Sequence, residues 1–290
     1  MEKYEQMIKQ MAENSEPQLD AKKTALICVD LVNDGSDDNG FFKKVLNFDI
    51  SLIQKIEPNV IKLIEACKKD SIPIIGVQAI YDFSYIPVSM KERFEAMGIK
   101  GGLSPKGSLG AEIIPKIKNI GVDLILVKSY YSSFSPGKTF GYKPGNKEIE
   151  NYMKLSSDKD DIITREKKKT MLDYFKEAQI IPQDIDSHLD NGGVVSLDCY
   201  LKSKGIDTLI ICGASTHVCV DSTISGASER GYKIFVPIDA IAAEGIPGEG
   251  YERHFVYLSN QGMFKAELTS TERLIKAIEK FSNNSDKEVK

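Results

Sequence analysis

Three residues whose types together can hydrolyse a carbonyl compound follow apolar runs of this sequence. Asp30 and Lys128 each end such a run, and Cys219 lies just beyond a third run, where a helix is predicted to begin. A thiol at a helix N-terminus feels the positive end of the helix dipole, which favours the nucleophilic thiolate. The carboxylate can take the thiol proton, while the ammonium holds the carboxylate ionised and stabilises developing negative charge. The combination predicts a cysteine nucleophile that has its own base.

Each of these residues also has an ordinary structural interpretation. Free cysteine is among the most buried residue types, and an aspartate at a strand end often caps a turn. Lysines at strand ends are commonly solvated, and Cys28 and Cys212, which lie inside apolar runs, are interpreted as structural. Two observations favour chemistry for the trio. The three types complement one another, and no histidine sits at a comparable strand end to form a protease-like Cys–His dyad.

The elements that would position the trio alternate between strand and helix patterns. Six short apolar runs are predicted strands: 24–30, 72–80, 122–128, 207–213, 232–239 and 263–268. Segments with helical spacing of apolar residues separate them, most clearly 51–70 and 220–230. This alternation indicates an α/β fold with a parallel sheet covered on both faces, in which ligands bind beyond the carboxyl ends of the strands. The three candidate residues are therefore expected at one edge of the sheet.

The stretch 135–193 interrupts this alternation. It begins with Gly and Pro residues interleaved with aromatics, then carries apolar residues at helical spacings among many charges. Long loops in compact domains are usually functional, so we expect an insertion that forms a partly helical cover over the pocket mouth; a linker and an oligomer contact are the alternatives. The charged run REKKK at 165–169 is interpreted as a solvated helix face. Around the insertion we predict a helical extension over 1–23, one domain over 24–281 and a disordered tail over 282–290.

The composition excludes several classes of protein. The chain has 290 residues, 41% of them hydrophobic, with a net charge of −4 and a pI near 5.6, which argues against binding to nucleic acid. No apolar run approaches the ~18 residues of a membrane span, and the charged N-terminus is unlike a signal peptide. The five cysteines contain no C-x-x-C pair, so a disulfide framework is not indicated. We expect a cytoplasmic protein whose partner is a small-molecule substrate, not a nucleic acid or a membrane.

Motifs for common cofactors are missing from the sequence. No G-x-G-x-x-G follows the first predicted strand, and no G-x-x-x-x-G-K-[ST] occurs. The acidic stretch DGSDDNG lacks the glutamate at the twelfth position of an EF-hand loop. The three histidines are too few and too scattered for a His-built metal site. We therefore expect neither a cofactor nor a metal.

In the segments around these residues, the sequence resembles the isochorismatase-like cysteine hydrolases. This family includes nicotinamidases, N-carbamoylsarcosine amidases, ureidoacrylate amidohydrolases and isochorismatases. The matching stretches are ALICVDLVND at 25–34, GSLGAEIIP at 107–115, LVKSYYSSF at 126–134 and the long segment 196–242. They surround all three candidate residues in order and, with the closing helix–strand–helix, extend over nearly all of 24–281 outside the insertion.

The resemblance implies a three-layer α/β/α Rossmann-like fold around a six-stranded parallel sheet. It also implies that Asp30, Lys128 and Cys219 are catalytic, that the peptide bond between Ala214 and Ser215 is cis, and that the backbone N–H groups of Ser215 and Cys219 form an oxyanion hole. Family members commonly assemble as dimers or tetramers, so a homo-oligomer is expected. Four further side chains are expected to line the substrate pocket: Tyr81, Tyr131, Phe134 and His217.

Departures from the family pattern narrow the expected chemistry. Zinc-dependent nicotinamidases carry an Asp-x-His and a second His after the second strand, whereas AIYDFSYIP has Asp82 and no histidine there, so a zinc nicotinamidase is not expected. The family's usual glutamine two residues after the first-strand Asp is Val32 in this chain. Siderophore isochorismatases often lack the nucleophilic cysteine, so its presence as Cys219 favours hydrolysis of a C–N bond.

The expected function is thus that of a cysteine hydrolase. It would cleave a small amide, ureide or carbamoyl compound through a thioester intermediate and release ammonia or a small amine. Two alternatives stay open at this point. One is a vinyl-ether hydrolase of the isochorismatase type, and the other is a non-catalytic family member that binds a ligand in the same pocket.

Overall fold

The computed structural model of the chain describes residues 2–157 and 169–288, with side chains described as far as residue 282. Its strands are β1 (Thr24–Val29), β2 (Ile74–Ala79), β3 (Tyr81–Asp82), β4 (Gly102–Leu103), β5 (Leu124–Lys128), β6 (Thr139–Tyr142), β7 (Thr208–Ala214), β8 (Lys233–Pro237), β9 (Ile241–Ala242) and β10 (Glu267–Thr269).

The α-helices of the described ranges are α1 (Glu2–Asn14), α2 (Asn33–Ser36), α3 (Phe41–Lys44), α4 (Ser51–Lys69), α5 (Val88–Ala96), α6 (Pro115–Ile120), α7 (Lys147–Met153), α8 (Met171–Glu177), α9 (Ile185–Asp190), α10 (Leu197–Ser203), α11 (Asp221–Ser228), α12 (Glu252–Phe264) and α13 (Thr271–Glu288). Within these ranges, none of the helices has both the length and the apolar character that a membrane crossing requires.

The six strands predicted from the alternation form one parallel sheet, in the order β10-β8-β7-β1-β2-β5. The predicted α/β class and the parallel sheet are therefore confirmed. All six residues of the central strand β1 are buried, because both faces of the sheet are covered, and its sequence is a continuous apolar run rather than an alternating one. Its neighbours β7 and β2 pair with it in register, with Cys28 opposite Cys212 and Gly76.

Helices cover the sheet on both faces and complete the three layers. On one face α4 and α13 pack against β1, where Leu26 and Cys28 share a buried cluster with Ile64 and Leu274. On the other face, Ile27 of the same strand shares a second buried cluster with Leu201 of α10, Ile224 of α11 and Leu258 of α12. The helix predicted over 51–70 is α4. Its buried residues recur at helical spacing, which made the helix predictable from the sequence: Ile53, Ile56, Val60, Leu63, Ile64 and Cys67.

The insertion 135–193 begins with a strand that the sequence analysis did not predict. β6 pairs antiparallel with β5, so that Thr139 lies opposite Lys128 and Tyr142 opposite Ile125. The described part of the insertion then packs α7 and α8 onto this edge around a cluster of buried aromatics: Phe140, Tyr142, Tyr152, Tyr174 and Phe175. Apart from Lys169, which pairs with Glu177 at 2.6 Å, the REKKK run lies outside the described residues.

The two ends of the chain pack onto the sheet through helices. In α1, Ile8 and Ala12 are buried where this helix contacts α12 and β10, in line with the helical extension predicted for 1–23. The last helix continues to Glu288, where a disordered tail was expected from residue 282, and residues 289–290 lie outside the described ranges. The domain limits at 24 and 281 stay a prediction.

Candidate active site

The carboxyl edge of the sheet brings the three candidate residues together. Asp30 directly follows β1 and takes a positive φ of 48°, a conformation in which aspartate is tolerated better than most residues. Lys128 is the last residue of β5, two strands away from β1. Cys219 follows β7 in a π-helical turn over Thr216–Val220, which leads into α11. Parallel strands end at the same edge of the sheet, so three distant segments converge on one point.

Lys128 lies at the centre of this cluster with its ammonium group fully buried. Its Nζ lies 2.8 Å from Asp30 Oδ2, donates to the hydroxyl of Tyr81 at 2.8 Å and donates to the carbonyl of Tyr130 at 3.0 Å. An ammonium has three N–H donors; two of them are used in the bonds to Tyr81 and Tyr130, and Asp30 supplies the opposite charge. Burial alone would lower the pKa of Lys128, but attraction to Asp30 and Cys219 outweighs burial and raises the pKa. Lys128 is therefore a permanent cation in the site.

Asp30 carries the properties of a base. Burial raises the pKa of its carboxyl above the ordinary value, although the charge of Lys128 acts in the opposite direction. Oδ2 lies 2.8 Å from Lys128 Nζ in an ion pair, but neither Oδ2 nor Oδ1 has a hydrogen-bond partner of good geometry among the described residues. A carboxylate with a raised pKa and a free oxygen is poised to accept a proton from a neighbouring group.

Cys219 is a buried thiol that keeps its proton at rest. Its pKa is raised to about 12, mainly by burial; the negative charge of Asp30 acts in the same direction, whereas the charge of Lys128 and a hydrogen bond from Tyr81 act in the opposite direction. The lowering of the thiol pKa that a helix dipole favours does not prevail here. The residue lies within a π-helical turn rather than at the open end of an α-helix, and desolvation outweighs the dipole. Formation of the nucleophile requires a base, and Asp30 is the carboxylate whose charge acts on this thiol.

Tyr81 touches the nucleophile as well as the lysine. Its hydroxyl lies 3.0 Å from Cys219 Sγ, and its ring packs edge-on against Phe94 and Tyr131, with centroids 6.1 Å away in both cases. The sequence analysis placed this tyrosine in the substrate pocket, and it lines that pocket. Its direct contact with the sulfur was not anticipated.

A narrow, mainly apolar pocket opens onto the sulfur atom. The described residues that line it come from five places: the segment after β1, the end of β2, the β3–β4 pair with the residue after it, α4, and the segment around Ser215 and Cys219. They include Asp30, Val32, Phe42, Leu103, Ser215 and Cys219. No described residue of the insertion 135–193 lines this pocket. The cover expected from the insertion stays a prediction: β6 extends the sheet sideways, while Ser157, near the end of the first described part of the insertion, donates to Asp82, the residue after Tyr81.

The other expected pocket residues behave differently from one another. Tyr131 is half-buried beside Tyr81 at the edge of the site. Phe134 does not line the pocket among the described residues. Its ring lies 5.9 Å from that of Tyr232 and 5.2 Å from the guanidinium of Arg230, in the space that Gly226 leaves open for it. The assignment of Phe134 to the pocket is thus corrected to a packing role.

His217 and Glu244 form a second polar pair next to the cis peptide bond between Ala214 and Ser215. Glu244 is buried, accepts a hydrogen bond from the Ser215 hydroxyl and lies 3.4 Å from His217 Nε2. Burial lowers the pKa of His217, although Glu244 acts in the opposite direction. Sequence reasoning missed Glu244, because an isolated glutamate in a loop after β9 carries no pattern that indicates its position.

The turn that carries Cys219 is anchored from α12. His254 Nδ1 lies 2.8 Å from the Thr216 hydroxyl, and Gln261 Nε2 donates to the Thr216 carbonyl at 3.1 Å. Burial lowers the pKa of His254 to about 4, so the imidazole is neutral at physiological pH. These bonds hold the irregular turn in one conformation.

Comparisons with known proteins find similarity both in sequence and in fold. The Isochorismatase domain family matches residues 194–273, which include the nucleophile turn. The structure of a cysteine hydrolase from Pseudomonas syringae pv. phaseolicola shares the fold over 92% of this chain and 99% of that one, with a TM-score of 0.61 and 19% identity. An isochorismatase family protein from Desulfovibrio vulgaris covers 88% and 98%, with a TM-score of 0.55 and 16% identity.

The similarity to curated sequences is local. The chain is 38% identical to the ureidoacrylate amidohydrolase RutB of Methylorubrum extorquens over 82 residues, which are 26% of this chain and 33% of that protein. The match thus spans about a third of the relative. An isochorismatase family protein of Bacillus subtilis, YddQ, is 29% identical over 83 residues, or 45% of its length.

Proposed function

We propose that this protein is a cysteine hydrolase that cleaves a C–N bond of a small amide, ureide or carbamoyl compound. The observation that carries the proposal is that a buried thiol lines the same narrow pocket as the carboxylate of a buried carboxylate–ammonium pair. A ligand-binding protein gains nothing from burying an ion pair beside a thiol, since burying these charges costs several kcal/mol per ion. The name of the relative from Methylorubrum extorquens, an amidohydrolase, supports the same class of reaction.

The first half of the reaction forms a thioester. Asp30 takes the proton of Cys219 through its free oxygen, and the thiolate attacks the carbonyl carbon of the substrate. The high pKa of the Cys219 thiol makes a base necessary. The raised pKa of Asp30 brings the pKa of the base closer to that of the thiol, which makes the proton transfer less unfavourable. We assign the developing oxyanion to the backbone N–H groups of Ser215 and Cys219, both of which line the pocket. Asp30 then gives the proton to the departing nitrogen.

The second half releases the acid. A water molecule enters the space that the amine has left, Asp30 takes one of its protons, and the oxygen attacks the thioester carbon. When the tetrahedral intermediate collapses, the Cys219 sulfur leaves as the thiolate and recovers its proton from Asp30. Lys128 stays charged throughout and balances the charge of the Asp30 carboxylate in each state in which it is ionised.

The alternatives predict different behaviour of Cys219. A vinyl-ether hydrolase of the isochorismatase type needs acid catalysis but no thiol, so Cys219→Ala would leave its turnover largely intact. A non-catalytic family member would bind a ligand without turnover. The contact of Cys219 with both Tyr81 and the Asp30–Lys128 pair supports the thiol-dependent reaction.

A screen of small amides, ureides and N-carbamoyl compounds for ammonia release tests the proposal. We expect turnover of at least one compound class by the wild type and none by Cys219→Ser. A covalent adduct of the acyl mass on Cys219, trapped by acid quenching and detected by mass spectrometry, identifies the thioester. Turnover that Cys219→Ser retains at the wild-type rate would refute the thioester route.

We further propose that the enzyme needs no metal and acts as a homo-oligomer, either a dimer or a tetramer. Among the described residues, no group of three or more His, Cys, Asp or Glu side chains is arranged to hold a metal ion. Activity is expected to survive exhaustive chelation, and light scattering at micromolar concentration is expected to give a multiple of 32.2 kDa. A stoichiometric zinc lost together with activity, or a monomeric mass, would contradict the respective statement.

A further inference from the structure

The hydroxyl of Tyr81 lies between the ammonium of Lys128 and the sulfur of Cys219. The distances are 2.8 Å to Lys128 Nζ and 3.0 Å to Cys219 Sγ. The tyrosine is 5% exposed, so water does not compete freely for these bonds. Tyr81 thereby connects the permanent cation of the site to the atom that has to become negative.

The direction of the two hydrogen bonds follows from counting protons. An ammonium has no acceptor, so Lys128 donates to the tyrosine oxygen, and the single hydroxyl proton of Tyr81 remains available for another acceptor. The carbonyl of Tyr130 lies 3.4 Å from the hydroxyl and already accepts from Lys128 at 3.0 Å. The sulfur is nearer, so Tyr81 donates to Cys219.

The hydroxyl keeps this proton under all working conditions. Burial, together with the negative charge of Cys219 and Asp30, raises the pKa of Tyr81 well above its ordinary value. A tyrosine that does not ionise is a stable donor, and donation from Lys128 polarises its O–H bond further. Hydrogen bonds to charged groups are stronger than those between neutral groups, so this bond strengthens when the thiol becomes a thiolate.

Local backbone geometry holds Tyr81 in this position. β3 pairs antiparallel with β4, with Tyr81 opposite Leu103 and Asp82 opposite Gly102. Gly102 has a φ of 117°, and a Cβ atom at this position would lie 2.2 Å from the Tyr81 carbonyl oxygen. Only glycine permits this close approach. The strand pair and the aromatic contacts of the ring therefore fix the hydroxyl before any substrate arrives.

We propose that Tyr81 is a catalytic residue that donates a hydrogen bond to the Cys219 sulfur and stabilises the thiolate when Asp30 removes the thiol proton. In this step one proton moves from Sγ to Asp30, and the Tyr81 proton stays on its oxygen. Tyr81 thus supplies a second source of thiolate stabilisation beside the charge of Lys128. The inference rests on the proposed function only in that the hydrolase reaction would use the thiolate. The effect of Tyr81 on thiolate formation does not depend on that reaction.

The test measures the reactivity of the thiol itself and needs no substrate. Tyr81→Phe keeps the ring and its packing but removes the donor. The rate of alkylation of Cys219 by iodoacetamide is followed by mass spectrometry from about pH 6 to about pH 11, because the rate reports the thiolate fraction. We expect Tyr81→Phe to slow alkylation by roughly 10- to 100-fold at a given pH, because a hydrogen bond to a charged group stabilises it by a free energy that corresponds to about this factor. The pH dependence should move to higher pH.

Tyr232→Phe serves as the matched control. Its hydroxyl donates to Asp198 at 2.9 Å, away from the pocket, and the side chain is as well buried as that of Tyr81. This variant also loses one buried tyrosine hydrogen bond, so it measures the effect of a general loss of stability. We expect alkylation of Cys219 in Tyr232→Phe to match the wild type within about 2-fold.

A second variant changes the strength of the hydrogen bond that Tyr81 donates to Cys219 while it keeps the oxygen that accepts from Lys128. Replacement of Tyr81 by ortho-fluorotyrosine keeps the hydroxyl but makes it a stronger donor, so alkylation should become faster than in the wild type. If Tyr81→Phe and the fluorinated protein both show the wild-type pH dependence, the inference is wrong. If no amide is turned over by the wild type while the alkylation shifts appear as expected, the proposed function fails and the role of Tyr81 stands.

Discussion

Removal of the buried lysine should destabilise the fold in a way that depends on pH. In Lys128→Met the methionine fills a similar volume, but the Asp30 carboxylate loses the ammonium 2.8 Å away and stays buried. Loss of one partner of a buried ion pair typically costs about 3–5 kcal/mol. We expect the free energy of unfolding at neutral pH to fall by about this amount.

The pH dependence of this loss has a definite sign. The folded-state pKa of Asp30 is already raised above its unfolded value by burial, and removal of Lys128 raises it further. A group with a raised folded pKa favours the folded state below its unfolded pKa, and this stability is lost as the pH rises through the folded pKa. The deficit of Lys128→Met should therefore be largest at neutral and alkaline pH and shrink toward pH 3.8, the ordinary value for this carboxyl.

A double variant completes the experiment. Asn is tolerated at the positive φ of residue 30, so Asp30→Asn removes the charge without backbone strain. Asp30→Asn combined with Lys128→Met should be more stable than Lys128→Met alone by about 1–3 kcal/mol, because no uncompensated charge remains. The chain has no tryptophan, so urea unfolding is best followed by circular dichroism. Two results would contradict a stabilising buried ion pair between Asp30 and Lys128. One is that Lys128→Met unfolds at the wild-type urea concentration at neutral pH; the other is that the losses of stability of the two single variants simply add in the double variant.

Three further predictions concern the nucleophile, its anchor and the sheet edge. Cys219→Ala and Asp30→Asn should each lower kcat by at least about 100-fold in an ammonia-release assay with circular dichroism unchanged; retained turnover would refute their roles. His254, with its pKa lowered to about 4, should favour the folded state above pH 6.5 and lose this contribution as the pH falls through 4. His254→Gln should therefore reduce the change of melting temperature with pH between these two values. A pH profile equal to that of the wild type would contradict this role of His254. Phe140→Ala should cost about 3–5 kcal/mol in urea unfolding, since the ring is fully buried; a cost below about 1 kcal/mol would mean that the edge cluster is loosely packed.

The convergence of Asp30, Lys128 and Cys219 could be predicted because it depends only on topology. Asp30 and Lys128 end strands, Cys219 follows one, and parallel strands place their carboxyl ends at one edge whatever the details of packing. The protonation state of Cys219 could not be predicted in the same way. It depends on how completely the thiol is desolvated, and burial at that position results from β2, β3 and the segments around the pocket rather than from the local sequence.

The failed predictions concern side-chain direction and short strands. Phe134 follows Lys128 closely in sequence, but hydrogen bonds of Ser133 to Thr223 turn the backbone toward α11, and the ring packs against Tyr232 instead of lining the pocket. β6 was missed because four residues between Gly- and Pro-rich turns match a loop pattern as well as a strand pattern. The contact of Tyr81 with the sulfur was missed because it depends on the pairing of β3 with a two-residue strand far along the chain.

β6, the first strand of the insertion, covers the edge of the sheet that β5 would otherwise expose. Without it, the backbone N–H and C=O groups of β5 would form an open edge, a template on which strands of other molecules can assemble. β6 occupies that edge, and its own outer side is partly closed by the paired bonds between Gly141 and Val195. At the opposite edge, β10 is only three residues long. A shortened chain without 138–190 would thus expose the strand that carries Lys128, and its first defect would be self-association rather than altered substrate preference.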